Sequence, residues 1–255
     1  MNQSKSKHFF VADVHLGVKV KDPFDREKSF VDWLGSISSE AVSLYLLGDI
    51  FDFWWEYKYV VPKGYVRVLG TLARMVDSGV SVHFFKGNHD QWGFGYLQKE
   101  VGVQLHHEFE VKEIGAYRFC LGHGDGPGLT NGRYRLLSGL FSSSLLQKGF
   151  ASIHPRWGMA LGHLWSAHNR KKYNANSTYQ EEDDPRYKFA RSFPHSIDYF
   201  IFGHLHVPAD VILPNGSRMV VLGEWMPDKH YAVFDEHTGL FSCMNSRSVS
   251  NNKRI

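Results

Sequence analysis

The chain has 255 residues, a formal net charge of +3, 43% apolar residues and 22% charged residues. This length suffices for one large domain with a well-buried core, and the composition is that of an ordinary globular protein. No apolar run approaches the roughly 18 residues of a membrane span, and we expect no signal peptide because no apolar stretch follows the basic N-terminus. The weakly basic charge, without an extended basic stripe, argues against a nucleic-acid enzyme. The two cysteines have no ligand-like spacing, which favours a reducing compartment.

Short apolar runs that end in polar clusters predict buried strands, each followed by a turn. They cover residues 8–12, 43–47, 81–86, 117–121 and 198–202. Helical patterns at 24–38 and 63–78 separate the first three runs. This alternation predicts an α/β layered fold that binds ligands beyond the carboxyl ends of its strands. Residues 211–222 predict a hairpin around Pro214-Asn215-Gly216-Ser217, so we expect a second, partly antiparallel sheet to pack on the first.

Residues 127–194 interrupt this alternation. Apolar residues recur at helical spacing between 133 and 165, and a basic run that contains Arg170 and Lys171 follows. We predict inserted helices that form a cap over the site, hold an apolar substrate and rest on a membrane surface. For any single apolar residue, packing on the core is the stronger alternative. Arg170 and Lys171 are candidate substrate contacts, with a solvated helix face as the equal alternative. The single domain is expected to cover 1–244, with a flexible tail at 245–255.

The turns after the strands carry side chains that ligate metals. They are Asp13, His15, Asp49, Asn88, His89, His123, His204 and His206. Carboxylate, imidazole and amide groups suit Mn, Fe or Zn, and their number exceeds what one tetrahedral site needs. Two metals that share a carboxylate explain the number. Such a pair can clamp a phosphoryl group and lower the pKa of a bridging water, so that an attacking hydroxide exists at neutral pH. The alternative, that each is an ordinary turn residue, has to hold at five separate strands.

The ordered set of motifs resembles the calcineurin-like metallophosphoesterase superfamily. The motifs are Asp13-x-His15, Gly48-Asp49, Gly87-Asn88-His89-Asp90, Gly122-His123 and Gly203-His204-x-His206. The resemblance implies an α/β fold, a four-layer α/β/β/α sandwich with a helical insertion. It also implies two metals bridged by Asp49, the first held with Asp13, His15 and His206, the second with Asn88, His123 and His204. Asn88 and His123 would also touch the substrate. His89 would contact the phosphate or protonate the leaving group, and Asp90 would orient His89.

Within the superfamily, the chain is most similar to the UDP-2,3-diacylglucosamine pyrophosphatase family of lipid A biosynthesis. The shared features are the 48–52 run, His123-Gly124-Asp125, the insertion and the 221–225 run. That family implies a lipid-linked nucleotide substrate, cleavage to UMP and 2,3-diacylglucosamine 1-phosphate, Mn²⁺, and peripheral attachment to the inner face of the cytoplasmic membrane. It commonly has Arg where this chain has His89, and Arg offers a fixed cationic fork whereas His can give a proton. A phosphoesterase with a soluble nucleotide, phosphodiester or phosphoprotein substrate therefore remains the alternative.

Overall fold

The computed structural model describes residues 5–18, 23–126, 143–173 and 179–245, without the side chains of 23, 24 and 169–173. The predicted contacts Arg170 and Lys171 therefore lie outside the described side chains, and the tail beyond 245 lies outside the described residues. Along the chain the elements are β1 (Lys7–Val11), α1 (Pro23–Ile37), β2 (Ala41–Leu47), α2 (Val66–Asp77), β3 (Ser81–Phe85), a π-helical turn (Leu97–Val101), β4 (Gln104–His106), β5 (Glu110–Ile114), β6 (Tyr117–Leu121), α3 (Ser144–Ala151), α4 (Pro155–Tyr173), α5 (Pro185–Ser192), β7 (Tyr199–Phe202), β8 (Ala209–Ile212), β9 (Arg218–Val221), β10 (Tyr231–Asp235) and β11 (Leu240–Met244).

The strands form two sheets. The first has the order β11-β10-β1-β2-β3-β4, and the second has the order β5-β6-β7-β9-β8. Strands β1 to β4 run parallel to one another, and β10 and β11 add an antiparallel edge. The predicted hairpin is β8–β9, which pairs antiparallel in the second sheet. The two-sheet arrangement predicted from the sequence is thus confirmed.

Alternating side chains along the strands divide the core into layers. Phe9 and Val11 of β1 pack with α1 and α2 on the outer face of the first sheet. Phe10, which lies between these two residues in the strand, faces the second sheet. It stacks on Phe119 of β6 at a ring-centroid distance of 5.8 Å. The period of two residues in a strand produces this separation. On the far side, Tyr187 of α5 packs against the outer face of the second sheet. The result is the predicted α/β/β/α sandwich.

Helices α3 and α4 pack on the loop that follows Asp52 instead of on either sheet. Phe150 of α3 lies 4.3 Å from Trp55, centroid to centroid, in a separate apolar cluster with Phe53 and Trp92. We call this pair of helices, α3 and α4, the cap. Helix α5, which also falls within the predicted cap limits of 127–194, packs on the outer face of the second sheet. Residues 127–142 and 174–178 lie outside the described residues.

Candidate active site

Beyond the strand ends, the backbone adopts a left-handed conformation that residues other than glycine rarely adopt. Five of the predicted ligands have a positive φ: Asp13 (52°), His15 (47°), Asp49 (54°), His204 (72°) and His206 (63°). For residues other than glycine this left-handed region is uncommon and costs about 1–3 kcal/mol each. Hydrogen bonds between the first two turns hold it in place, with Asp13 N donating to Gly48 O at 3.1 Å and His15 N to Asp49 O at 2.9 Å. Strain of this kind concentrates at functional sites.

Two glycines allow the turns to come close together. A Cβ on Gly87 would lie 2.2 Å from Asp49 Oδ1, and a Cβ on Gly48 would lie 2.6 Å from His123 Nδ1. Gly48 also has a φ of +84°, so both its conformation and its surroundings require glycine. The glycine that follows a strand is therefore needed here for the approach of neighbouring ligands.

The first group of converging side chains is Asp13, His15, Asp49 and His206. Each offers one ligand atom, and these atoms all lie within 4.8 Å of one another. The Nε2 atoms of His15 and His206 are 3.2 Å apart, and His206 Nε2 is 3.5 Å from Asp13 Oδ1. The side chains of Asp13 and His15 are fully buried.

The second group shares Asp49 with the first. The ligand atoms of Asp49, His123 and His204 also lie within 4.8 Å of one another. Asn88 Oδ1 joins them, at 2.9 Å from His204 Nδ1 and 3.3 Å from His123 Nε2. The structure thus brings together all seven predicted metal ligands, in two groups that meet at Asp49.

The donor set fits divalent cations. Among the described residues, the buried atoms Asp13 Oδ1 and His15 Nδ1 have no hydrogen-bond partner. Leaving a buried polar group unpaired costs about 1–3 kcal/mol, so such atoms call for an explanation. Imidazole nitrogens that face each other at hydrogen-bond distance cannot all be satisfied by one another, whereas a cation between them accepts every lone pair. Nitrogen and carboxylate oxygen suit a borderline divalent ion.

Burial and neighbouring charge set the protonation of the two groups. Burial alone would raise the pKa of Asp49, but electrostatic interaction with the neighbouring His123 and His89 outweighs burial and holds that pKa well below its usual range. Burial lowers the pKa of His15 and of His204 well below 6.5. For His123 and His206 burial acts in the same direction, but the charge of Asp49 raises the pKa of His123 well above 6.5, and the charge of Asp13 raises that of His206. A cation binds the neutral imidazole, so metal binding would displace the protons held by these two rings. Burial also raises the pKa of Asp13, to about 6.

Among the described residues, no hydrogen bond joins Asp90 to His89, the residue that Asp90 is predicted to orient. The Asp90 carboxylate accepts hydrogen bonds from four backbone N–H groups: Gly87 (2.8 Å), Asp49 (3.3 Å), Ile50 (2.8 Å) and Phe51 (3.2 Å). It therefore braces the turn that presents Asp49. His89 Nδ1 instead lies 2.9 Å from the backbone oxygen of Asp52 and 3.0 Å from Ser166 Oγ. Sequence reasoning missed Ser166, because nothing in a helix 77 residues away connects it with His89.

Two further residues support the first group. His206 Nδ1 lies 3.7 Å from Glu224 Oε2, and Glu224 Oε1 lies 3.1 Å from Arg26 Nη1. A carboxylate behind a ligating imidazole fixes its tautomer and raises its basicity. The 221–225 run contains Glu224 and contributes to the family resemblance of the sequence, but it predicts no role for this residue. Trp54 and Trp55, which follow Asp52, are both buried in apolar clusters.

Comparison with known proteins identifies the family of this chain. The family model described as calcineurin-like phosphoesterase matches residues 7–208, which include every candidate metal ligand. The chain therefore belongs to the calcineurin-like phosphoesterase family and is a metal-dependent hydrolase. It is 36% identical to the UDP-2,3-diacylglucosamine hydrolase of Porphyromonas gingivalis, over 94% of this chain and 98% of that protein. It is 26% identical to the enzyme of the same name from Serratia proteamaculans, over 85% of this chain and 90% of that protein. Among solved structures, a dimetal phosphatase from Danio rerio aligns over 94% of this chain and 96% of that one, with 14% identity and a TM-score of 0.48.

Proposed function

We propose that this chain hydrolyses the pyrophosphate bond of UDP-2,3-diacylglucosamine to UMP and 2,3-diacylglucosamine 1-phosphate in the lipid A pathway. The observation that carries the proposal is the meeting of two ligand groups at Asp49, beside a cap with exposed apolar side chains. The relative from Porphyromonas gingivalis, which is matched over almost its whole length, supports the choice of substrate.

Two divalent ions fit the site. Asp13, His15, Asp49 and His206 would hold one ion, and Asp49, Asn88, His123 and His204 the other. Mn²⁺ is our first choice, with Fe or Zn as alternatives. When bound, such ions polarise the phosphoryl oxygens and lower the pKa of water enough to give a hydroxide nucleophile at neutral pH.

The chain itself contributes orientation and proton handling. His89 Nε2 lies 3.9 Å from Asp49 Oδ2, so the imidazole stands at the edge of the ligand groups, where a substrate phosphate would bind. There it would donate a hydrogen bond or a proton to a phosphate oxygen as the pyrophosphate bond breaks. Asn88 and His123 lie in the second ligand group, 3.3 Å apart between Oδ1 and Nε2, and are also proposed to contact the substrate. The ionised Asp49 would be the carboxylate that both ions share.

The cap carries apolar side chains that face solvent. They are Leu145 and Leu146 on α3, and Trp157, Leu161, Leu164 and Trp165 on α4, with exposed fractions between 39% and 77%. The four residues of α4 have the spacing of one helix face. An exposed apolar patch of this kind marks a lipid or protein contact, and we propose that it holds the acyl chains and rests on the cytoplasmic membrane surface. Arg170 and Lys171, in the same helix, are proposed substrate contacts. No described helix is long and apolar enough to cross a membrane.

A substrate panel tests the proposed activity. The purified chain is assayed with Mn²⁺ on UDP-2,3-diacylglucosamine in detergent micelles, and on bis(p-nitrophenyl) phosphate, a cyclic nucleotide and a phosphopeptide. We expect release of UMP to be much faster than hydrolysis of any of the small substrates, and to stop when EDTA is added. Faster hydrolysis of a soluble substrate would favour the alternative, in which His89 serves a phosphoesterase without a lipid substrate.

A pair of variants tests the role of the cap. The double variant Leu161→Ser, Leu164→Ser should raise the KM for the lipid substrate and weaken flotation with anionic phospholipid vesicles. Leu240→Ser is the matched control, because Leu240 is 64% exposed, close to the 68% of Leu164, but lies on β11. Equal loss of vesicle binding in both variants would contradict a specific role for the cap.

A further inference from the structure

A hydroxyl on the cap contacts the catalytic centre directly. Ser166 lies on α4, and its side chain is almost wholly buried. Its Oγ lies 2.7 Å from Asp52 Oδ1 and 3.0 Å from His89 Nδ1. The backbone oxygen of Asp52 lies 2.9 Å from the same His89 nitrogen. A single serine thus joins the cap helix to the loop after Asp49 and to His89.

The directions of these hydrogen bonds follow from the chemistry of the groups. A hydroxyl has one proton, and a carboxylate can only accept, so Ser166 donates to Asp52 Oδ1. Towards His89, both Ser166 Oγ and the Asp52 carbonyl then act as acceptors. His89 Nδ1 must therefore carry a proton, which leaves Nε2 as the nitrogen that exchanges one. Nε2 is the atom that faces Asp49.

Two glycines allow α4 to lie close to the loop that Ser166 contacts. A Cβ on Gly162 would lie 2.2 Å from the Phe53 ring, and a Cβ on Gly158 would lie 2.0 Å from Tyr57 Oη. Gly158, Gly162 and Ser166 are four residues apart, so they share one face of the helix. The glycines let the helix approach, and the serine forms the polar contact at the end of that face.

We propose that Ser166 is a positioning residue that couples docking of the cap helix to the tautomer and orientation of His89. This inference rests on the proposed function in that His89 acts on a bound phosphate. With α4 docked, two acceptors hold the Nδ1 edge of the ring and point Nε2 at the substrate. With α4 displaced, only the Asp52 carbonyl remains, and the ring is held less firmly. Substrate bound under the cap therefore organises the histidine that acts on it.

A double-mutant cycle tests the coupling. Ser166→Ala should lower kcat for UDP-2,3-diacylglucosamine about tenfold, the size expected for one lost hydrogen bond near a charged group, with little change in KM. In the His89→Ala background the same substitution should have no further effect. Ser166→Thr keeps the hydroxyl and should recover part of kcat. An equal loss with and without His89 would show that Ser166 acts only on the fold and would overturn the proposal.

Ser152→Ala is the matched control. Ser152 also lies in the cap region, but its Oγ donates to the backbone oxygen of Lys148 at 2.9 Å and not to a residue of the site. This variant removes a serine hydroxyl that does not contact His89, so kcat should be unchanged. A loss as large as that of Ser166→Ala would indicate a general weakening of the cap and would also contradict the proposal.

A measurement without substrate separates this inference from the proposed function. Ring ¹⁵N shifts of His89 in the metal-free chain, assigned by comparison with His89→Gln, should report a proton on Nδ1. In Ser166→Ala a fraction of the Nε2-protonated tautomer should appear. A wild-type ring protonated on Nε2 would overturn the role of Ser166. Failure to hydrolyse UDP-2,3-diacylglucosamine would instead refute the proposed function and leave the tautomer result standing.

Discussion

One set of histidines lies within the strands of the first sheet and another lies at the strand ends. The two sets differ in whether their ring nitrogens find hydrogen-bond partners in the protein. The inner histidines, which we define as His8, His83 and His106, lie within strands β1, β3 and β4. His8 Nδ1 is 2.6 Å from Ser43 Oγ, and its Nε2 is 3.1 Å from Glu236 Oε2. His83 Nδ1 is 3.0 Å from His106 Nε2, and His106 Nδ1 is 2.7 Å from Glu110 Oε1. These contacts give each of the rings a hydrogen-bond partner from the protein.

The strand-tip histidines (His15, His123, His204 and His206) differ in both contacts and backbone. Their nitrogens converge on Asp49 and Asp13, and three of the four have a positive φ. Within the described residues, a nitrogen of His15 and an oxygen of Asp13 have no hydrogen-bond partner. Burial of histidine therefore does not by itself indicate a metal site. A metal site is indicated where ligand atoms without hydrogen-bond partners converge and the backbone that carries them has positive φ values.

The sharpest test of this difference is Asp49→Asn, which removes the carboxylate shared by both groups. We expect kcat to fall at least about 1000-fold, because a neutral amide cannot bridge two cations. The fold should persist, since an amide oxygen can still accept the 2.8 Å hydrogen bond from His89 N. Circular dichroism checks the fold, and elemental analysis should show less bound metal. Retained turnover would mean that the ligand assignment is wrong.

Sequence reasoning found the strand tips because apolar runs, glycines and ligand residues follow one another locally. It could not find the left-handed backbone at Asp13 or His204, since residue type favours glycine there. It also could not find the four backbone partners of Asp90, because only the folded turn brings these groups near its carboxylate. Asp184 is a similar case: it caps α5 by accepting a hydrogen bond from Arg186 N at 2.7 Å. Contacts made through the backbone or across long sequence separations leave no pattern in the sequence.

The inner histidines should control stability in acid. Burial, with the charge of Lys112 second, lowers the pKa of His83 to about 4 from 6.5. Below pH 6.5 His83 becomes protonated in the unfolded chain, whereas in the folded chain it stays neutral until about pH 4. The free energy of unfolding therefore decreases as the pH falls through this window. The full difference corresponds to about 3 kcal/mol. Urea unfolding at pH 7 and pH 4.5 measures it, and His83→Gln should reduce the difference between the two values. An unchanged difference would show that His83 does not set it.

Glu224→Gln should act on metal binding, because Glu224 lies behind His206. Loss of a carboxylate behind a ligating histidine lowers metal affinity about tenfold to a hundredfold. Titration of the metal-free chain with Mn²⁺ measures the change. Glu236→Gln is the matched control, since Glu236 pairs with His8 through the same groups but among the inner histidines. If Glu236→Gln weakened Mn²⁺ binding as much, the separation of the two sets would be refuted.

Ser43→Ala should have the smallest effect and the one that most clearly separates the two sets. It removes the partner of His8 Nδ1 and leaves a buried nitrogen unpaired, which should cost about 1–3 kcal/mol in the free energy of unfolding. The change creates among the inner histidines the unpaired state found at His15. One unpaired nitrogen does not make a site, because no carboxylates converge on it, so Mn²⁺ affinity and kcat should stay at their wild-type values. Binding of additional Mn²⁺ by this variant would show that burial and an unpaired nitrogen are sufficient, and that convergence on Asp49 is not required.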